Sequence, residues 1–117
     1  MASPVSLGQF EQIVLTAVVS LGDGAYGISV HAKAQNLSRP RKISLGAIYA
    51  TLDRLEDKGL ISSWMSEPTP ERGGRSRRCY RLEKTGMQAL GEAVSTAQRL
   101  IEAIGRNAGG LSWKPAR

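Results

Sequence analysis

Residues 44–82 constrain the fold of this chain more than any other stretch. SLGAIYATLDRLEDKGLI reads as an amphipathic helix running into a strand, EPTPERGGRSRR as a turn-rich basic loop, and RCYRL as a returning strand. Leu45, Ile48, Leu52 and Leu55 recur at helical spacing on one face. Ser44 is a suitable N-cap, and Lys58-Gly59 supplies a cationic last turn and a C-cap glycine. The other face carries Gly46, Ala47, Ala50, Thr51 and Arg54, small and nearly uncharged in its first half. A helix that needs only solubility carries Glu and Lys there. Small residues let its backbone come close to something else. The strand over 60–67 alternates Ile61, Ser63 and Met65 against Ser62, Trp64 and Ser66, and residues 77–82 return with Tyr80 and Leu82 on a common face. A helix, then a hairpin tipped with arginine and glycine, brings two positive elements to one surface.

The remaining elements are set by periodicity. Phe10, Ile13, Val14, Ala17, Val18 and Leu21 mark a helix over 7–21, stopped by Gly22-Asp23-Gly24. A weaker helix is expected from Ala25 to about Asn36, with Ile28, Val30 and Ala32 as its buried candidates. Pro40 breaks the chain, and residues 41–43 are short enough only for a minimal strand. A long helix is expected from 83–85 to about 107, with Met87, Leu90, Val94, Ala97, Ile101 and Ile104 at alternating three- and four-residue gaps. That is a heptad seam, of the kind that pairs with another helix.

A length of 117 residues allows one domain with an appended helix, and a core this small profits from an oligomeric partner. No apolar run reaches the ~20 residues needed to span a bilayer, and the N-terminus lacks the basic region of a secretory signal. A single cysteine, Cys79, excludes an internal disulfide and suits a reducing cytoplasm. One Cys and one His cannot build a zinc site, and nothing around Cys79 or His31 resembles a nucleophile–base pair. Cys79 reads as a strand residue and His31 as a helix-surface residue. Asp53, Glu56 and Asp57 read as helix solubility, so neither an enzyme nor a metal or other cofactor is expected. The net charge of +6 is uneven. Residues 39–84 hold eleven basic and six acidic groups, and five arginines fall within 72–81. A localised basic stripe is a footprint for a polyanion.

Helix, helix, helix, strand, basic loop, strand is the winged helix-turn-helix layout: mainly α, of the α+β class, with a C-terminal dimerisation helix. The third helix is narrow enough on its outer face for a major groove ~12 Å wide. Its N-terminus offers backbone N–H groups to phosphate, and Arg72, Arg75, Arg77 and Arg78 can clamp the flanking backbone or reach into the minor groove. Gly73 and Gly74 let the loop follow DNA closely.

Three blocks together, LGQFEQIVLTAVVSLGDGAYG (7–27), SLGAIYATLDRLEDKGLI (44–61) and EPTPERGGRSRRCYRL (67–82), resemble the PadR family of bacterial transcriptional regulators, over about residues 7–105. The resemblance implies a homodimer on a palindromic operator, usually a repressor. Tyr49 matches a recognition-helix tyrosine that typically contacts the DNA backbone, with Ser44, Gly46, Ala47 and Thr51 on its groove side. Gly73, Gly74, Arg75 and Arg78 match the wing, and Tyr26 and Gly27 match the motif that opens the second helix. Cys79 stands where an aromatic residue is often found. Some members hold flat drugs between tryptophans of the last helix. Here that helix has none, as Trp64 lies on a strand and Trp113 in the tail.

The expected organisation is a tail at 1–6, a winged-helix domain at 7–83, a dimerisation helix at 84–107 and a tail at 108–117. The expected DNA-binding residues are Tyr26, Lys42, Ser44, Gly46, Ala47, Tyr49, Ala50, Thr51, Arg54, Arg72, Gly73, Gly74, Arg75, Arg77 and Arg78. The expected dimer interface is the seam at 87–104 together with Leu7, Phe10 and Ile13. The expected function is that of a cytoplasmic, sequence-specific repressor released by a small-molecule effector or another signal. The alternative is a winged helix used for protein contacts, or an architectural DNA binder without a specific operator.

Overall fold

The computed structural model describes residues 6–112 and 114, and of Arg72 the backbone only. Four helices and one antiparallel hairpin follow in order: α1 (Gln9–Leu21), α2 (Gly27–Leu37), α3 (Leu45–Asp57), β1 (Ile61–Met65), β2 (Arg78–Leu82) and α4 (Lys84–Asn107). The class is mainly helical α+β, as the periodicities predict.

The core is built where the three short helices meet the hairpin. Val14, Leu15, Ala17 and Val18 of α1, Val30 and Ala34 of α2, and Ile48, Leu52 and Leu55 of α3 are buried with Leu60, Ile61 and Tyr80. Leu15 lies outside the single stripe expected of α1. It is buried because α1 packs against α2 and α3 and also against β2 and α4. In α2 the expected inner residue Val30 is buried, whereas Ile28 and Ala32 are exposed, and Gly27 and Ala34 face inward beside Val30.

That rotation has a cause in the backbone. Residues 25–26 are not helical. Tyr26 pairs with Cys79 as an isolated antiparallel bridge, and the Tyr80 N–H donates to the Ala25 carbonyl at 2.8 Å. The edge of β2 is therefore met by a single bridge at 25–26, and the minimal strand expected at 41–43 does not form. Residues 41–43 cannot pair in that way, because the Ile43 N–H donates to the Gln35 side chain at 2.8 Å. His31, expected on the helix surface, is half-buried with Nε2 2.7 Å from the Ile43 carbonyl oxygen. These bonds pin the turn between α2 and α3.

The start and end of α3 follow its sequence. Ser44 Oγ accepts from the Ala47 N–H at 3.0 Å. At the other end Gly59 has φ +76°, and Leu60 N–H bonds to the Leu55 carbonyl while Gly59 N–H bonds to that of Glu56. That is a left-handed glycine stop. Lys58 then reaches α1, with Nζ 2.7 Å from Glu11 Oε2.

Burial works against ionisation of Glu11, but Lys58, the Gly8 N–H and Arg54 outweigh it and hold the carboxyl below its ordinary pKa. A depressed folded-state pKa stabilises the fold above the unfolded value, and the gain is lost as pH falls through the folded one. Lys58→Met should therefore lower the melting temperature at pH 7 by the equivalent of about 1 kcal/mol or less. The two proteins should melt alike at pH 3. A gap unchanged from pH 7 to pH 3 would remove the ion pair as its source.

Candidate nucleic-acid interface

Side-chain contacts link three elements: the outer strip of α3, the start of α2 and the base of the hairpin. On α3 the exposed strip is Gly46, Tyr49, Ala50 and Asp53, with Arg54 beside it. Ala47 is half-buried against the core. Thr51, expected on the groove side, is only 1% exposed. Its hydroxyl instead accepts from Arg54 Nη2 at 3.0 Å, so Thr51 orients Arg54 from beneath. The strip thus turns slightly from the one read off the sequence, and Asp53, read there as mere solubility, lies on it. Lys42 and Ser44 are exposed just before the helix. The N–H groups of Leu45 and Gly46 open the helix and have no carbonyl of their own helix to bond.

Tyr49 joins α3 to the start of α2. A Cβ built on Gly27 would fall 2.1 Å from the Tyr49 hydroxyl and 2.3 Å from Cζ, so the phenol lies directly on the glycine. Only glycine leaves that space, and Tyr49 as a residue remains 42% exposed on the strip. Next along, the Arg77 guanidinium lies 3.6 Å from the centre of the Tyr26 ring. Tyr49, Gly27, Tyr26 and Arg77 thus form a continuous line from α3 to the base of the hairpin. The Tyr26–Gly27 pair is explained by this contact, which no spacing in the sequence announces.

The arginines of the hairpin do not all gather at its tip. Arg77 is stacked on Tyr26, and Arg81 lies 4.8 Å from the Trp64 ring centre on the outer face of the sheet. Arg78 Nη1 donates to Ser63 Oγ. The tip itself is a short 3-10 turn at Pro70–Arg72, followed by Gly73 and Gly74 at φ +64° and +77°. The Gly73 and Gly74 N–H groups bond back to Pro70 and Thr69, which makes the loop compact. Arg75 is exposed beyond it, and the side chain of Arg72 lies outside the described residues. Cys79 is buried, opposite Trp64 on one side and Tyr26 on the other. Burial pushes the Tyr80 phenol up, against Arg78, with Asp53 and Glu56 adding to the effect.

The long helix presents a second surface. Only Gly86 and Ala89 of α4 are buried, and Leu90 packs partly on the core. Met87, Val94, Ala97, Ile101 and Ile104 are exposed along one stripe. Leu7, Phe10 and Ile13 of the N-terminal region rest partly on their own core. Trp113 lies outside the described residues. No helix among them is long and apolar enough to cross a membrane, and no group of three His, Cys, Asp or Glu is placed to hold a metal ion.

Three helices followed by a two-stranded hairpin with a glycine-containing loop are the arrangement of a winged-helix domain. The sequence profile described as "Transcriptional regulator PadR-like family" matches residues 15–92, and the chain belongs to that family. Similar solved structures carry the same fold. A PadR family transcription regulator from Clostridium difficile R20291 is 22% identical with a TM-score of 0.70, covering 87% of this chain and 100% of its own. A PadR-like transcription factor from Bacteroides fragilis is 24% identical with a TM-score of 0.69, covering 85% and 89%. A PadR-like regulator from Bacillus cereus strain ATCC 14579 is 20% identical with a TM-score of 0.69, covering 86% and 92%. No curated protein sequence matches the chain. The family and these neighbours are transcription regulators and not enzymes.

Proposed function

We propose that this protein is a bacterial, cytoplasmic repressor that binds a palindromic operator as a homodimer. The carrying observation is the uncovered apolar stripe of α4, with Val94 54% exposed. Four large aliphatic side chains at 94–104 (Val94, Leu100, Ile101 and Ile104) stay in water in the single chain, each forgoing on the order of 1 kcal/mol of burial. A second α4 would cover them, with Leu7, Phe10 and Ile13 against the partner's helix. A winged-helix domain at 7–83 and a dimerisation helix at 84–107 is the division this reading uses.

Two such domains fixed by α4 would set their α3 helices about one DNA turn apart, ~34 Å. Gly46, Ala47 and Ala50 would lie against base edges, with Ser44, Tyr49, Lys42 and Arg54 on the backbone around them. Tyr26 and Arg77 would continue that backbone track towards the wing, where Arg72, Gly73, Gly74 and Arg75 would meet the flanking DNA. Thr51 has no place in the contact, since it is buried beneath Arg54. Release by a small molecule or another signal would act through differential binding to two dimer geometries.

The deciding experiment is fluorescence-anisotropy binding across a salt series, with DNA from upstream of the protein's own gene and a random duplex of equal length. Tight, salt-dependent binding with a large preference for the upstream DNA is expected. Equal binding to both would leave an architectural role, and no binding at low salt would make the wing a protein-contact surface. In the same titration Arg75→Ala should weaken binding to every sequence and flatten the log–log salt slope by about one unit. An unchanged slope would take Arg75 off the phosphates.

A further inference from the structure

The sequence alone places Arg78 among the DNA clamps, and the structure gives it other partners. Arg78 Nη1 donates to Ser63 Oγ at 2.9 Å, and the Ser63 hydroxyl donates to Glu56 Oε2 at 2.7 Å. Ser63 is thereby used both as acceptor and as donor. The three residues come from three elements: Glu56 from the last turn of α3, Ser63 from β1 and Arg78 from the first residue of β2. Arg78 pairs with Met65 at the last rung of the strands, and one further pair of bonds between Ser66 and Arg77 precedes the wing loop. The relay therefore ties both strands to the C-terminal end of α3 near the open end of the hairpin. A guanidinium leaving this place for a phosphate would give up the Ser63 hydroxyl, which stays committed to Glu56.

We propose that Arg78 is a positioning residue, held through Ser63 by Glu56, which sets the angle of the wing to α3 and is not itself a phosphate contact. This rests on the DNA-binding reading above. If the angle is fixed, α3 and the wing tip engage one DNA geometry together, so the relay acts on selectivity more than on charge.

The test is the salt dependence of binding to upstream and random duplexes for the wild type, R78A, S63A, S63T, E56Q and the R78A/E56Q double variant, with R75A as the phosphate-contact control. R78A, S63A and E56Q should keep the wild-type slope while R75A flattens it by about one unit. Each of the three should lower the preference for the upstream duplex about fivefold, the scale of one net hydrogen bond. The double variant should lose no more than R78A alone, and S63T, which keeps the hydroxyl, should restore the preference. A slope for R78A as flat as that of R75A would make Arg78 a direct contact and overturn the proposal, as would additive losses in the double variant. Should the wild type bind neither duplex, the DNA reading fails by itself. Thermal melts of the same variants then decide the relay: additive shifts abolish it, and non-additive shifts retain it as a clamp on the hairpin.

Discussion

Replacing Val94 and Ile101 by Asp should convert the protein to monomers and reduce its affinity for a two-half-site operator by about 10²- to 10⁴-fold. That range is the avidity lost when a second module no longer binds intramolecularly. Both side chains are exposed in the single chain, so the winged-helix core has no reason to unfold with them. Two carboxylates placed in each copy of an apolar seam would, by contrast, be buried unpaired in a dimer. Sedimentation should find the mass of one chain, with an unchanged far-ultraviolet circular dichroism spectrum. Affinity for random DNA should fall far less, because each monomer keeps its own helix and wing. A dimer that survives both substitutions would place the interface away from α4.

Gly86→Ala sets two effects of opposite sign against each other. In a helix interior the change from Gly to Ala normally stabilises by about 1 kcal/mol. Here the added Cβ would fall 2.2 Å from the Leu60 carbonyl oxygen and 2.6 Å from Leu82 Cδ1. The carbonyl is backbone and cannot step aside, since it also accepts from the Glu83 N–H at 2.9 Å. The Thr85 hydroxyl donates to the Gly59 carbonyl, which fastens the first turn of α4 to the same segment. Overpacking of this kind costs about 1–3 kcal/mol, at the upper end where nothing can yield. The net expectation is a loss of roughly 2 kcal/mol, or a fall in melting temperature on the order of 10 °C for a domain this size. Gly91→Ala, five residues along the same helix with open space around it, should be neutral or stabilising. Equal stabilisation by both substitutions would show that α4 does not sit this close to Leu60.

The two outcomes are linked by geometry. Gly86 sets where α4 leaves the domain, and in the proposed dimer the seam at 94–104 would set what it meets. Any shift of the helix at Gly86 is carried along about 1.5 Å of helix per residue to the seam. Operator affinity should therefore respond to Gly86→Ala even at temperatures where the domain stays folded.

Periodicity and end signals in the sequence determined most of the helical frame. The three- and four-residue spacings of α1, α3 and α4, the Ser44 cap and the Lys58-Gly59 stop are local properties, which neighbouring residues decide. The hairpin, with its alternation and its Gly73-Gly74 turn, is local for the same reason. Membership of the PadR-like family was legible in three blocks because each joins such signals to a fixed order of elements.

What only the tertiary structure decided are the contacts between elements distant in the chain. Residues 25–26 bridge to the edge of β2 and are not helical, so α2 starts later, and Ile28 and Ala32 face outward. Thr51 is buried because the strip of α3 is fixed by what packs behind it, which composition does not state. Arg77, Arg78 and Arg81 leave the wing tip because Tyr26, Ser63 with Glu56, and Trp64 lie close enough to hold them. A guanidinium's charge is written in the sequence. Whether it faces DNA or a neighbouring ring or hydroxyl depends on distances of 3–5 Å, and only the folded chain sets those.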